Sequence, residues 1–93
     1  MPLHFWWDPG KGAANFRKHG VSFSEAATAF GDPLSITIPD PAHSIGEERF
    51  LLIGRTEGGR LVVVAHQEQA DDIRLITARR ATRRERTTYE ENQ

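Results

Sequence analysis

Half of the basic residues of this chain fall in one short stretch. Residues 73–86 hold Arg74, Arg79, Arg80, Arg83, Arg84 and Arg86, six of the twelve Lys and Arg, with Glu85 as the single opposing acid. The whole chain is near neutral, with thirteen Asp and Glu and a formal charge of −1. A local field of this kind still acts on a polyanion, and the competing reading is a solvated helix face. Arginine suits phosphate because its planar fork matches two phosphate oxygens. RNA supplies its own nucleophile, the 2′-hydroxyl. Cleaving it needs in-line alignment, cations to stabilise the charge on the phosphorane, and groups that move protons. Arg49, Arg74 and Arg79 lie in or at the ends of predicted strands. Each is either a phosphate ligand or one half of an ion pair with Glu47, Glu48 or Glu85. His66, at the end of a predicted strand, and Glu48 are candidate proton carriers. A polar strand terminus is the competing role for His66. His19 reads as a partner for a helix dipole, and Tyr89 as a packing anchor.

Other chemistries find little support. His4, His19, His43 and His66 are scattered, without the spacing of a metal site. Glu47-Glu48 and Asp71-Asp72 are adjacent pairs, whose side chains diverge in a strand. Gly10-Lys11-Gly12 lacks the spacing of a nucleotide-binding loop, and no G-x-S-x-G elbow exists. The chain has no cysteine, which excludes disulfides and permits a reducing compartment. No apolar run approaches the roughly 20 residues of a membrane helix. Met1–Trp7 lacks the basic region and apolar core of a signal peptide.

The elements that must position these groups can be read from local pattern. At 93 residues the chain is one domain, 1–93. His4–Trp7 is a short aromatic strand. Asp8-Pro9 opens a helix over Pro9–His19 that ends at Gly20, with Lys11, Asn15, Lys18 and His19 on one polar face. Ser22 and Glu25 form a capping box for a second helix, whose Phe23, Ala26, Ala27 and Phe30 make an apolar stripe up to Gly31-Asp32-Pro33. Strands follow at Leu34–Ile38, Arg49–Thr56, Leu61–His66 and Ile73–Ala78, with Pro39–Gly46 as a loop. Glu57-Gly58-Gly59-Arg60 is a hairpin turn, and Gln69–Asp72 a second turn. Thr82 and Glu85 cap a final helix to about Glu91, with Ala81 and Tyr89 as almost its only apolar residues. The order is β-α-α-β-β-β-β-α, an α+β fold with a mainly antiparallel sheet and helices packed on one face. Both sheet faces are apolar, however. Leu51 and Ile53 oppose Phe50 and Leu52, and Val62 and Val64 oppose Leu61 and Val63. The second face therefore needs a cover, from the last helix or from a partner. Arg74 and Arg79 are an odd number of residues apart. They share a face only if Arg79 lies beyond the strand or a bulge intervenes.

The sequence resembles the BrnT toxins. The N-terminal half matches at Trp7-Asp8-Pro9-x-Lys11, Asn15, Lys18-His19-Gly20-Val21-Ser22-Phe23, Glu25-Ala26 and Asp32-Pro33. The rest matches at Glu48-Arg49, Gly54, Arg60-Leu61, Ile73-Arg74-Leu75-Ile76-Thr77-Ala78-Arg79, Ala81-Thr82, Glu85-Arg86 and Tyr89. The resemblance spans nearly the whole chain in order. It departs from the family at Gln67 and Gln69, where Thr-x-Arg is frequent, and at Thr77, where Ser is usual.

The resemblance implies a RelE-like fold and a cytoplasmic, metal-independent ribonuclease that inhibits translation, with no cofactor. It also implies a cognate BrnA-like antitoxin, with DNA bound only through the toxin–antitoxin complex. Joined to the residue chemistry, it assigns Arg74 and Arg79 to the scissile phosphate with Arg49 assisting, and His66 or Glu48 to proton transfer. Lys11, Lys18, His19, Arg83, Arg84 and Arg86 then hold flanking phosphates. The alternatives are a non-catalytic module that docks an antitoxin, and a ParE-like toxin acting on gyrase.

Overall fold

A computed structural model describes residues 2–40 and 48–93. Its elements are β1 (His4–Trp6), α1 (Pro9–His19), α2 (Phe23–Thr28), a 3-10 turn (Ala29–Gly31), β2 (Ile36–Pro39), β3 (Phe50–Arg55), β4 (Leu61–Gln69), β5 (Asp72–Arg80) and α3 (Arg83–Glu91). The five strands form one sheet in the order β1-β5-β4-β3-β2. Neighbours from β2 to β5 pair antiparallel, while β1 pairs parallel to β5. The α+β class and mainly antiparallel sheet follow the sequence expectation. The parallel edge makes the sheet mixed.

The predicted first helix is found with its caps. The Asp8 side chain accepts from the Gly10 and Lys11 amides, and Gly20 closes the helix at φ 71°, in the left-handed region that glycine tolerates. The second helix tightens into the 3-10 turn before Asp32. There the chain presses on β3: a Cβ at Gly54 would lie 3.0 Å from the Ala29 carbonyl oxygen.

The helices do not share one face. Val21, Phe23, Ala26 and Ala29 pack with Leu52, Val62, Val64, Ile73, Leu75 and Ala78 on one side of the sheet. Tyr89 of α3 packs with Ile53, Leu61 and Val63 on the other. The reason is the two-sided apolar pattern of β3 and β4, which leaves a second core to be covered. Tyr89 is the anchor: it is buried, and its hydroxyl donates to Asp32 Oδ2 at 2.6 Å. Burial pushes the Asp32 carboxyl up, but hydrogen bonds from Tyr89 and from the Arg55 and Leu34 amides outweigh this and hold it below its ordinary value.

Asn15 does not stand on an open polar face with Lys11, Lys18 and His19. It is buried. β1 pairs only with residues 72–74 of β5, so the strand edge beyond is bare. Asn15 completes it. Its Nδ2 donates to the Ala78 carbonyl at 2.8 Å and to the Val21 carbonyl at 2.9 Å, and its Oδ1 accepts from the Ala78 amide at 3.1 Å. One side chain thus satisfies both backbone groups of Ala78, as a neighbouring strand would.

Candidate active site

The strand β5 carries the predicted arginines, and its irregularity decides where they point. Ala65 pairs with Thr77 but His66 pairs with Leu75, so Ile76 is an extra residue and β5 is bulged. The bulge shifts the alternation by one. Ile73, Leu75 and Ala78 therefore all face the first core, and Arg74 and Arg79 both face the opposite side. Arg79 lies inside β5, which runs to Arg80, and not beyond the strand as expected. The two arginines are not adjacent. They pair with Gln67 and Val63 of β4, four residues apart, or about 13 Å along a strand.

Helix α3 covers only part of this face. The uncovered part carries a groove of about 400 Å³ lined by His4, Trp6, Gln67, Gln69, Asp72 and Arg74. These residues form a lattice over three neighbouring strands. His4, Asp72 and Gln69 lie in one row, and Trp6, Arg74 and Gln67 in the next. The Arg74 guanidinium sits 5.5 Å from the Trp6 ring centroid and donates to Gln67 Oε1 at 3.2 Å. Among the described residues no carboxylate is in ion-pair contact with it. Trp6 is 48% exposed. A cation held over an exposed indole is oriented without being neutralised.

Arg79 has the other fate. Its Nη1 and Nη2 donate to Glu85 Oε1 and Oε2 at 2.8 and 2.9 Å. Glu85 also accepts from the Thr82 amide, closing the predicted capping box at the start of α3. The Arg79 hydrogen bonds and charge, assisted by Thr82, hold the Glu85 carboxyl at about 2, against an opposing push from burial. A carboxylate whose folded value lies below its ordinary 4.5 stabilises the fold above that value, and this contribution is lost as pH falls from about 4.5 towards 2. Discounted for partial exposure, the pair is worth about 1–2 kcal/mol. Urea titrations at pH 6 and pH 3 are expected to show wild type losing more stability on acidification than Glu85→Gln. Equal losses would contradict the assignment.

His66 is fully buried, on the face opposite Arg74. Its ring meets Phe30 edge-on at 4.8 Å and lies 6.0 Å from the Phe50 ring. Its nitrogens contact the Val64 carbonyl at 3.1 Å and Glu68 Oε2 at 2.9 Å. It is not the strand terminus expected of it, because β4 continues to Gln69. The sheet lies between His66 and the groove.

Glu48 is exposed just before β3, and Arg49 is half-buried beside it. The Phe50–His66 pairing sets Arg49 level with Gln67, at the same end of the sheet as Arg74. Glu47, His43 and most of the predicted loop lie outside the described residues. Lys11, Lys18 and His19 line a shallow groove of about 210 Å³ with Ile76 and Thr77. They thus flank β5 between Arg74 and Arg79. Arg83 and Arg84 are exposed on α3, and Arg86 lines a groove with Arg60 and Arg80. Arg60 itself is held by Glu25 and by the Gly20 carbonyl. Among the described residues no group of three or more metal-ligating side chains converges. No helix among them is long and apolar enough to cross a membrane.

His4, Trp6 and Asp72 were not singled out from sequence as site residues. The spacing of His4 and Trp6 places them on one strand face, but their apposition to Asp72 and Arg74 depends on the parallel pairing of the first and last strands, which has no local signature.

Fold and site together define a small α+β protein with an aromatic-walled groove that presents Arg74 on a partly covered sheet, and with further cations along its last strand. The family model described as "Ribonuclease toxin, BrnT, of type II toxin-antitoxin system" matches residues 7–85, and the chain belongs to that family. Its fold is that of the Brucella abortus ribonuclease toxin BrnT, whose crystal structure aligns with a TM-score of 0.67 at 21% identity over 87% of this chain and 99% of that one. No match was found among curated proteins. Family membership makes the chain a ribonuclease toxin of a type II system, with RNA as substrate and an antitoxin as partner.

Proposed function

We propose that this toxin is a metal-independent endoribonuclease that cuts by attack of the RNA 2′-hydroxyl, with Arg74 holding the scissile phosphate. The observation that carries this reading is the Arg74 side chain, accessible in a groove, oriented by Trp6 and Gln67, and not neutralised by a carboxylate. A guanidinium so held meets two phosphate oxygens at little cost in ordering. Arg49 assists from the same end of the sheet, with Glu48 beside it. Arg79 contributes charge from about 13 Å away along the sheet, and reaches phosphate only by giving up Glu85. His66 contributes through the packing under the groove rather than by touching substrate, because the sheet separates it from Arg74. Lys11, Lys18 and His19 hold phosphates where the RNA crosses the β5 edge, and Arg83, Arg84 and Arg86 hold them beyond.

The partner is a BrnA-like antitoxin, and contact with DNA runs only through the toxin–antitoxin complex. The toxin acts in the cytoplasm and inhibits translation. Incubating the purified chain with single-stranded RNA in excess EDTA tests the reading. Cleavage supports the enzyme. RNA left intact at high protein excess supports the alternative, a module whose surface serves the antitoxin alone.

A further inference from the structure

The geometry points to His4, oriented by Asp72, as the residue that takes the proton from the attacking 2′-hydroxyl. The inference rests on the ribonuclease reading above and names the proton carrier within the same groove. His66, the histidine that sequence favoured, is sealed from the groove, so a different group must do this work. His4 is 72% exposed in its side chain, and its Nδ1 lies 3.2 Å from Asp72 Oδ1. The two are direct partners in the β1–β5 pairing, and the His4 amide donates to the Asp71 carbonyl at 2.8 Å. The sheet therefore fixes both ends of the contact.

With Nδ1–H donating to Asp72, the lone pair of the His4 ring is on Nε2, the arrangement a general base requires. Arg74 stands two residues on from Asp72, on the same face, or about 7 Å along the strand. That separation fits a phosphate on Arg74 with the adjoining ribose reaching towards His4. In the step, His4 Nε2 takes the 2′-hydroxyl proton as the 2′-oxygen bonds to phosphorus. The bond from phosphorus to the 5′-oxygen breaks, and the leaving oxygen takes a proton from water. A 2′,3′-cyclic phosphate results, and His4 returns its proton to solvent. The charged groups facing His4 are Asp72 and Arg74 on β5, with Asp71 in the adjoining turn; β4 contributes only the uncharged Gln67 and Gln69. Asp72 is a positioning residue and does not touch the substrate.

The test uses the full chain and a single-stranded RNA oligonucleotide, with its fully 2′-O-methylated copy as a binding probe. His4→Ala is expected to lower kcat about a hundredfold. Binding of the methylated probe and the melting transition should hold, since the pair is exposed. Asp72→Asn should lower kcat with KM unchanged. Equal cleavage by wild type and His4→Ala, with Arg74→Ala inactive, would overturn this assignment alone. No cleavage by wild type would overturn it together with the reading beneath it.

Discussion

Replacing Arg74 by alanine is expected to lower RNA cleavage about a hundredfold while leaving the melting transition in place. The first effect follows from removing one oriented cation from the charge that develops on the phosphorane, worth on the order of 3 kcal/mol. The second follows from the partners of Arg74, which are an amide oxygen and an indole face at the rim of an open groove. Arg74→Lys should recover only part of the rate, because an ammonium keeps the charge but loses the fork. Arg79 supplies the contrast. Its guanidinium is spent on Glu85, and Arg79→Ala strands that carboxylate at the start of α3, so the change should register in stability first. Single-turnover cleavage and thermal melts on the two alanine variants separate these roles. A normal rate for Arg74→Ala would remove it from the site.

The largest effect on stability is expected at Asn15. Asn15→Ala removes three hydrogen bonds and leaves the amide and carbonyl of the buried Ala78 without their partner. Each stranded buried group costs about 1–3 kcal/mol, so the loss should reach about 3–5 kcal/mol, a large part of what a domain of this size has. A urea titration reads this as a lower midpoint. A change under about 1 kcal/mol would mean that water can replace the side chain at the bare β5 edge.

Much of the fold was legible because its signals are local. Asp8-Pro9 and Gly20 bracket α1, Thr82 and Glu85 start α3, and Gly58-Gly59 marks the β3–β4 hairpin, each through a contact within a few residues. What was not legible depends on partners distant in sequence. Nothing near His4 shows that β1 will lie parallel to β5. Nothing near Ile76 marks a bulge, although the odd spacing of Arg74 and Arg79 required either a bulge or an Arg79 beyond the strand for them to share a face. Asn15 reads as one more polar residue on a helix until the edge it completes is known. His66 reads as a strand end until β4 is seen to continue beneath Phe30.

The residues that carried the family resemblance divide in a similar way. Asp8, Asn15, Gly20, Ser22, Glu25, Asp32, Gly54, Arg60, Thr82, Glu85 and Tyr89 cap helices, complete a strand edge, anchor the last helix, close ion pairs or allow close approach. They specify the scaffold. The groove is built largely from others: His4, Trp6, Gln67, Gln69 and Asp72 join Arg74 there. Of the three departures from the family pattern noted in the sequence, Gln67 and Gln69 fall in this groove and Thr77 does not. A resemblance resting on scaffold residues therefore fixed the fold more firmly than it fixed the chemistry of the site.

A chain that cuts RNA with its own side chains and the substrate's own hydroxyl leaves a chemical record of doing so. That record is read most directly from the ends of the products. A single-stranded RNA is digested by the purified chain in excess EDTA, and the fragments are analysed by mass. A second substrate carries a 2′-deoxy sugar at the mapped cleavage position. The expected products are 2′,3′-cyclic phosphate and 5′-hydroxyl ends from the first substrate, with no cut at the modified position of the second. Cleavage that needs an added divalent ion, or that proceeds at the deoxy position to leave 5′-phosphate ends, would contradict this mechanism.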